Sequence, residues 1–249
     1  MATFVLSDVD VFTNGYEFSS QVNTITVTAE AASVPTDNFG DAGWASALGG
    51  IKMGMIEYGG FASHGSAEIS TILGSGGVLG DGSTLVSVTP SNTENEPAFT
   101  LNAVEVSMTE VGGTIGEAAP ITASFANGNA QAYGLLAGRL LATNASRTAS
   151  SASTGYQYGA LTATQKMFSA LHVVSVSGTN PTLDLIVQSD DNSGFSSATS
   201  RITHTQATTI TSELLSVSGA VTDDYWRSSW TIGGTNTPTF RFVNIIALV

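Results

Sequence analysis

The sequence predicts an all-β protein with a β-sandwich fold, one or two short helices and two β units in tandem. Composition is the first observation behind this prediction: 31 Ser, 32 Thr and 27 Gly occur among 249 residues, of which only 11% are charged. Such a mixture suits strands and turns better than long helices. The second observation is that short apolar or alternating segments recur along the chain, with clusters of turn residues between them.

The first half contains a strand with clear alternation at Val22–Ala29. Its pattern places Ile25 and Val27 on one face and Val22 with the threonines on the other. Further strands are predicted at 51–58, 85–88, 99–108, 121–125 and 132–141.

Two short helices are predicted between these strands. In the first, Trp44 and Leu48 lie four residues apart and two glycines follow, which favours a helix within 37–50. The second covers Ala67–Leu73, with Ser66 as its N-cap and Gly74 as a left-handed stop. The apolar face of the second helix is formed by Ile69, Ile72 and Leu73.

A segment rich in Ser, Thr and Gly at 144–159 is predicted to be a linker or long loop. It divides the chain into a β-sandwich unit at 1–143 and a second sandwich-like unit at 160–249. In the second unit, strands are predicted at 170–177, 183–189, 201–204, 213–217, 225–231 and 240–248.

The charge is distributed unevenly. The net charge is −13, of which residues 1–143 contribute 14 acids and two bases. A conventional nucleic-acid binder needs Lys and Arg to replace phosphate counterions, so this distribution argues against one. The small charged fraction and the slightly positive mean hydropathy favour a surface that is partly covered by partners, with a low-charge secreted β protein as the alternative.

The chain has no cysteine, which excludes a disulfide framework and thiolate metal sites. The N-terminus lacks the basic and apolar regions of a signal peptide, and no apolar run approaches the roughly 20 residues of a membrane span. We therefore expect synthesis in the cytoplasm and no membrane partner.

Residues for catalysis or cofactor binding are not arranged in any recognisable motif. His64, His172 and His204 have unlike contexts, no Gly-x-Ser-x-Gly elbow occurs, and strand or surface positions are expected for the last two. The pairs Asp190-Asp191 and Asp223-Asp224 lie in polar segments where Asp caps turns. The sequence thus predicts a protein that is not an enzyme and binds no cofactor or metal.

Trp226 and Trp230 lie four residues apart in a predicted strand, so both rings share one face. Packing in the core is one interpretation. The other is an exposed aromatic platform that stacks on sugars, as in carbohydrate-binding modules.

Two stretches resemble a known family. The first comprises Val22–Val27, Val34–Asp41, Gly43-Trp44, Leu48–Gly54 and Gly59–Phe61. It resembles the segment of siphophage major tail (tail tube) proteins in which a strand, a Thr-Phe-Gly turn, a Trp-containing turn and a strand ending in Gly-Phe follow one another; here Asp37-Asn38 replaces the usual Thr. The second, Ala170–Ser189 with Val221–Ile232, resembles the C-terminal portion of phage tail or minor capsid proteins.

The resemblance implies a tail-tube-like β-sandwich whose copies form hexameric rings. The rings would stack into the tail tube of a virion, beside other tail proteins, and DNA would pass through without specific binding. Candidate core or interface residues are Phe39, Trp44, Leu48, Phe61, Trp226 and Trp230. Candidate acids of the lumen are Glu30, Asp37, Asp41 and Glu57. A capsid decoration or minor capsid protein and a carbohydrate-binding sandwich remain the alternatives.

Overall fold

The computed structural model describes residues 8–36, 47–75, 79–80, 82–128 and 133–249, and it confirms the all-β prediction. The described strands are β1 Asp10–Thr13, β2 Tyr16–Glu17, β3 Val22–Pro35, β4 Ala47–Phe61, β5 Thr84–Thr89, β6 Pro97–Glu110, β7 Pro120–Asn127, β8 Leu136–Arg147, β9 Ser151–Ala152, β10 Tyr156–Gln157, β11 Lys166–Asp190, β12 Thr199–Thr203, β13 Thr211–Ser218 and β14 Tyr225–Leu248. One π-helical turn spans Thr71–Ser75.

The first half of the chain forms a sandwich of two antiparallel layers. One layer has the order β3–β4–β7–β6, which we call the front layer, and the other has the order β2–β1–β5–β6–β8. Strand β6 belongs to both because its first part pairs with β5 and β8 and its second part with β7. The core between the layers includes the buried side chains Phe18, Ile56, Tyr58, Val86, Leu101 and Phe125.

The second predicted helix is present in part, as helical residues 69–70 followed by the π-helical turn. Ile69 and Leu73 are buried in the same core and Ile72 packs against it, as the periodicity predicts. The predicted left-handed stop at Gly74 is wrong, because the turn continues through Ser75. A Cβ atom on Gly74 would approach the Met108 side chain to 3.1 Å, so the glycine permits close packing.

The second half is built around one long ribbon. Strands β11 and β14 pair antiparallel from Met167↔Leu248 to Asp190↔Tyr225. One part of this ribbon, residues 166–176 with 240–248, lies in a layer with β13 and β8. The other part, residues 183–190 with 225–232, lies in a layer with β12, β9 and β10. Leu171 and Val173 from the first layer pack against Leu183 and Trp230 from the second. The ribbon therefore folds over and covers its own apolar face.

The strands predicted at 170–177 and 183–189 are one strand, β11, and those predicted at 225–231 and 240–248 are one strand, β14, with bends at 178–181 and 233–234. Gly178, Asn180 and Gly234 have positive φ, and the register shifts between Ser177 and Thr182. The separation into four strands was wrong because local turn chemistry bends the ribbon without ending its pairing.

The two halves share one continuous sheet through the pairing of β8 with β14. The linker prediction is wrong for residues 144–147, 151–152 and 156–157, which are strand. Small hydroxylated residues fit a pleated surface once a neighbouring strand is available. A buried cluster that includes Phe12, Leu140 and Val243 also joins the halves. The division into units at 1–143 and 160–249 remains a prediction.

Two local predictions near β3 and β4 also fail. Val22 packs on the core side with Ile25 and Val27, because a bulge between Val22 and Thr24 reverses the alternation. Leu48 lies in β4 opposite Val34, so the helix predicted within 37–50 does not extend over it. The remainder of that helix, including Trp44, falls outside the described residues.

Candidate assembly surfaces

The β3–β4 hairpin extends beyond the sandwich as an arm, formed by residues 29–36 and 47–53. Nearly every residue of this arm is exposed. Its apolar side chains include Leu48, 65% exposed, and Ile51, 86% exposed, with Val34 and Met53 beside them. Exposed apolar groups in such density mark an interaction surface more often than a solvated one.

The front layer has two open edges. Among the described residues, strand β3 pairs only with β4, so no described strand pairs with its outer edge along Val22–Pro35. At the opposite edge, residues 106–110 of β6 pair only with β7, and within the described ranges the outer backbone hydrogen bond nearest to them is from Gly80 N–H to the carbonyl oxygen of Glu105. Unpaired strand edges are templates for pairing with another chain.

The outer face of the front layer is rich in hydroxyl groups. Strand register aligns Thr26 with Glu57, Glu57 with Ser124, and Ser124 with Ser107, so these four side chains form a row across all four strands. A neighbouring row contains Thr24, Gly59, Thr122 and Thr109. The Ser124 hydroxyl donates to Glu57 Oε1 at 2.9 Å. These two rows are therefore small, polar and acidic.

Two of the four predicted lumen acids lie on this face. Glu57 is exposed in the row just described, and Glu30 is exposed further along β3, opposite Met53. Because Glu30 follows Thr26 and Thr28 with a period of two, it points to the same side as Glu57. Asp37 and Asp41 lie outside the described residues, as do the interface candidates Phe39 and Trp44.

The far end of the front layer, opposite the arm, has a second apolar surface, which we call the distal loop patch. It consists of Phe61 at the end of β4 and residues 111–119 between β6 and β7. Ile115 is fully exposed, and Phe61 and Val111 are more than half exposed. Val111 also has a φ of 70°, which is unfavourable for a β-branched residue and costs about 1–3 kcal/mol.

The two tryptophans with alternative interpretations are both buried. Trp226 is fully buried and donates from Nε1 to the carbonyl of Gly159 at 3.4 Å. Trp230 packs edge-on against Phe242 and beneath the Arg147 guanidinium. A sugar-stacking platform requires an exposed ring face, so these residues do not form one.

A buried chain of polar groups links Ser169, His204 and Glu213. His204 Nδ1 lies 2.8 Å from the Glu213 carboxylate, and its Nε2 lies 2.8 Å from the Ser169 hydroxyl. The carboxylate accepts from Nδ1–H, so Nε2 accepts from the hydroxyl. Asn244 Nδ2 donates to Ser169 Oγ at 2.8 Å. Burial lowers the pKa of His204, and the neighbouring Glu213 carboxylate opposes this shift.

These three side chains are ordered like the groups of a catalytic triad, but they are not accessible to a substrate. Ser169 is 0% exposed and His204 is also buried, so the hydroxyl is closed to a substrate. Every polar atom at the serine already has a partner within the protein. The arrangement therefore ties β11, β14 and the 204–213 segment together. This contact was not predicted from the sequence, because the three residues are separated in the chain and meet only through strand pairing.

His172 is another buried histidine, and it lies in strand β11, one of the two placements that were expected for it. It stacks on Phe12, and its Nε2 lies 2.9 Å from the Ser87 hydroxyl. Its Nδ1 accepts from the Gly15 amide at 3.3 Å. Burial lowers the pKa of His172 to about 3, so the ring is neutral and links the two halves of the chain.

Glu105 is a buried carboxylate in β6, only 1% exposed. Neither of its side-chain oxygens has a hydrogen-bond partner among the described residues. Burial raises its pKa to about 7. The alternation of Leu101, Ala103 and Glu105 could have revealed this position, because all three have the parity of the core face.

Within the described ranges, no cluster of three or more His, Asp or Glu side chains is placed to hold a metal ion. No helix in the described part of the chain has the length and apolar character needed to cross a membrane.

No protein-family model and no curated protein matches the chain. Among solved structures it is similar to a chain from the virion of a native gene transfer agent, with 15% identity and a TM-score of 0.33 over 44% of this chain and 82% of that one. It is similar to a chain of the anti-feeding prophage baseplate, with 14% identity and a TM-score of 0.35 over 53% and 100%. The Dit protein of phage SPP1 has 9% identity and a TM-score of 0.36 over 98% and 100%. TM-scores of this size do not establish a shared fold.

Proposed function

We propose that the protein is a structural subunit that assembles with copies of itself, and that the assembly is the tail tube of a bacteriophage. The observation that carries the first step is the pair of open edges on the front layer. The second step takes its support from the sequence resemblance to tail tube proteins and from the acidic, hydroxyl-rich face of the same layer.

Ring formation follows from the directions of the strands. In the order β3–β4–β7–β6 every neighbouring pair is antiparallel, so β3 and β6 run in opposite directions. When β3 of one copy lies beside the 106–110 edge of β6 in the next, the new pair is also antiparallel and continues the alternation. This contact joins two different surfaces, so it closes into a ring when the rotation per copy permits. Six copies would form a barrel of roughly 24 strands.

The hydroxyl-rich face would line the channel of this ring. Glu30 and Glu57 on that face repel DNA phosphates, and the surrounding Thr and Ser side chains offer no cation to hold them. DNA could therefore slide past without specific binding. Asp37 and Asp41 stay predictions for the same lumen. Other tail proteins would contact the two ends of the tube.

Cysteine cross-linking tests the edge contact directly, because the chain contains no cysteine of its own. Thr24, Thr26 or Thr28 in β3 is replaced by Cys in combination with Cys at Ser107 or Thr109 in β6. Within one subunit these strands are three strand spacings apart, roughly 14 Å, which is too far for a disulfide. Mild oxidation of the correct pair is expected to give a ladder of covalently linked oligomers. The largest of them should contain as many subunits as the ring.

The single-cysteine variants are the controls, because neither cysteine has a partner across the contact and no ladder should form. Negative-stain electron microscopy and sedimentation of the unmodified protein show whether rings or tubes exist. Rings without a ladder in any register would place the contact elsewhere. A monomer at high concentration would contradict the proposed assembly itself.

A further inference from the structure

The front layer has apolar surfaces at both ends of its strands. The arm lies at the end where β4 begins, and the distal loop patch lies where β4 finishes at Phe61, beside Pro120 of β7. Both ends belong to the same sheet. A translation of one copy along the strand direction therefore brings its arm toward the distal loop patch of the copy ahead.

The charges of the two ends are complementary. Lys52 in the arm is one of only two basic residues among the first 143. The other, Arg139, already stacks over Tyr156 and donates to the carbonyl of Asn95. Lys52 is exposed and forms no ion pair with any described residue. Among the described residues of the first half, Lys52 is thus the basic side chain that has neither an ion-pair partner nor an aromatic ring beneath it.

Acids predominate at the opposite end. Glu117 lies two residues from Ile115 in the distal loop patch and is exposed, without an ion-pair partner among the described residues. Glu110 lies next to this loop in sequence and already pairs with His64 at 3.1 Å. Within the described ranges, an apolar surface with an unpaired lysine thus lies at one end, and an apolar surface with an unpaired glutamate at the other.

We propose that the arm of one copy docks on the distal loop patch of a second copy, with Lys52 directed to Glu117. This inference rests on the proposed self-assembly and adds a second contact to it. The β3–β6 contact joins copies around a ring, whereas the arm contact runs along the strands and stacks one ring on the next. The contact is head-to-tail and does not close, so it produces a tube of indefinite length.

Single substitutions at fully exposed positions test this contact with little risk to folding. Ile115→Asp and Ile51→Asp each place a charge in the apolar contact, and each is expected to reduce mean tube length about tenfold or more while rings persist. Ile210→Asp is the matched control, because Ile210 is an exposed isoleucine outside both surfaces. Tube length is measured by electron microscopy, and ring integrity by sedimentation.

A charge exchange tests the direction of the contact. Lys52→Glu and Glu117→Lys are each expected to shorten the tubes, and the double variant is expected to restore much of the length. If Ile115→Asp forms tubes of normal length, the stacking contact is wrong while ring assembly stands. If the unmodified protein forms neither rings nor tubes, both proposals fail together.

Discussion

The two halves of the molecule treat their charged and apolar groups differently. Each of the five basic residues after position 143 has a partner: Arg147 stacks on Trp230 and Phe242, Lys166 and Arg227 lie over aromatic rings, and Arg201 and Arg241 form ion pairs with Asp223 and Glu17. In the front layer, Lys52 and most apolar side chains of the arm are exposed.

This difference shows where each half obtains its stability. The ribbon half buries its apolar face against itself, and its buried polar groups have partners within the ribbon or, as for His172, in the first half. Among the described residues, the front layer leaves two strand edges unpaired and two apolar ends exposed, and the proposed assembly would cover them. Substitutions in the ribbon should therefore affect unfolding, whereas substitutions in the arm should affect assembly.

The largest effect is expected from Trp226→Ala, which removes the largest fully buried side chain of the ribbon half. The cavity should lower the free energy of unfolding by about 3–5 kcal/mol. Urea denaturation of the dissociated subunit measures it. Ile51→Ala in the arm is the comparison and should change the free energy by less than about 0.5 kcal/mol. Equal losses of unfolding free energy at the two positions would contradict the conclusion that the ribbon half contributes the stability and the arm does not.

The next effect concerns Glu105, the buried acid of β6. Because its folded pKa is raised to about 7 from an ordinary 4.5, its contribution to stability is full below pH 4.5 and is lost as the pH rises to 7. The loss amounts to about 3 kcal/mol. Glu105→Gln should remove this part of the pH dependence, measured by urea unfolding at several pH values.

The control for Glu105 is Ser107→Ala, which lies two residues away and removes no titratable group. It should keep the pH dependence of the unmodified protein. If Glu105→Gln also keeps it, then the carboxylate has a partner or solvent access that neutralises the cost of burial.

The smallest effect is expected for Ser169→Ala. The substitution leaves His204 Nε2 without its hydroxyl donor and removes one acceptor from Asn244, at a cost of about 1–3 kcal/mol. Thermal unfolding measures the loss, and ¹⁵N NMR of the His204 ring reports whether its tautomer changes. A loss near zero would show that the polar chain is not a structural tie.

The sequence predicted most strands correctly because their signals are local. The strand at Val22–Ala29, apart from the side on which Val22 lies, and the apolar runs near Leu85 and Ile121 need no information from distant residues. The apolar helix face of Ile69, Ile72 and Leu73 was equally readable. These elements have the same structure that their own residues favour.

The failures arise where distant pairing decides. Leu48 becomes strand because Val34 lies opposite, and residues 144–147 become strand because β14 lies beside them. The assembly surfaces were predicted only in part: Glu30 and Glu57 share a face, whereas the open edges and the distal loop patch depend on strand order. Strand order is set by tertiary packing, which no single segment encodes.

The folded ribbon has a consequence for proteolysis. Its exposed bend contains two separate chain segments, near Asn180 and near Asn236, and the two segments are hydrogen-bonded to each other by the Asn236 side chain and the Thr179 hydroxyl. A protease that cuts one segment leaves the two layers connected through the other. The nicked protein would therefore migrate as an intact particle under native conditions and separate into fragments only when denatured. A protein with this bend can therefore keep its folded form after a single cut.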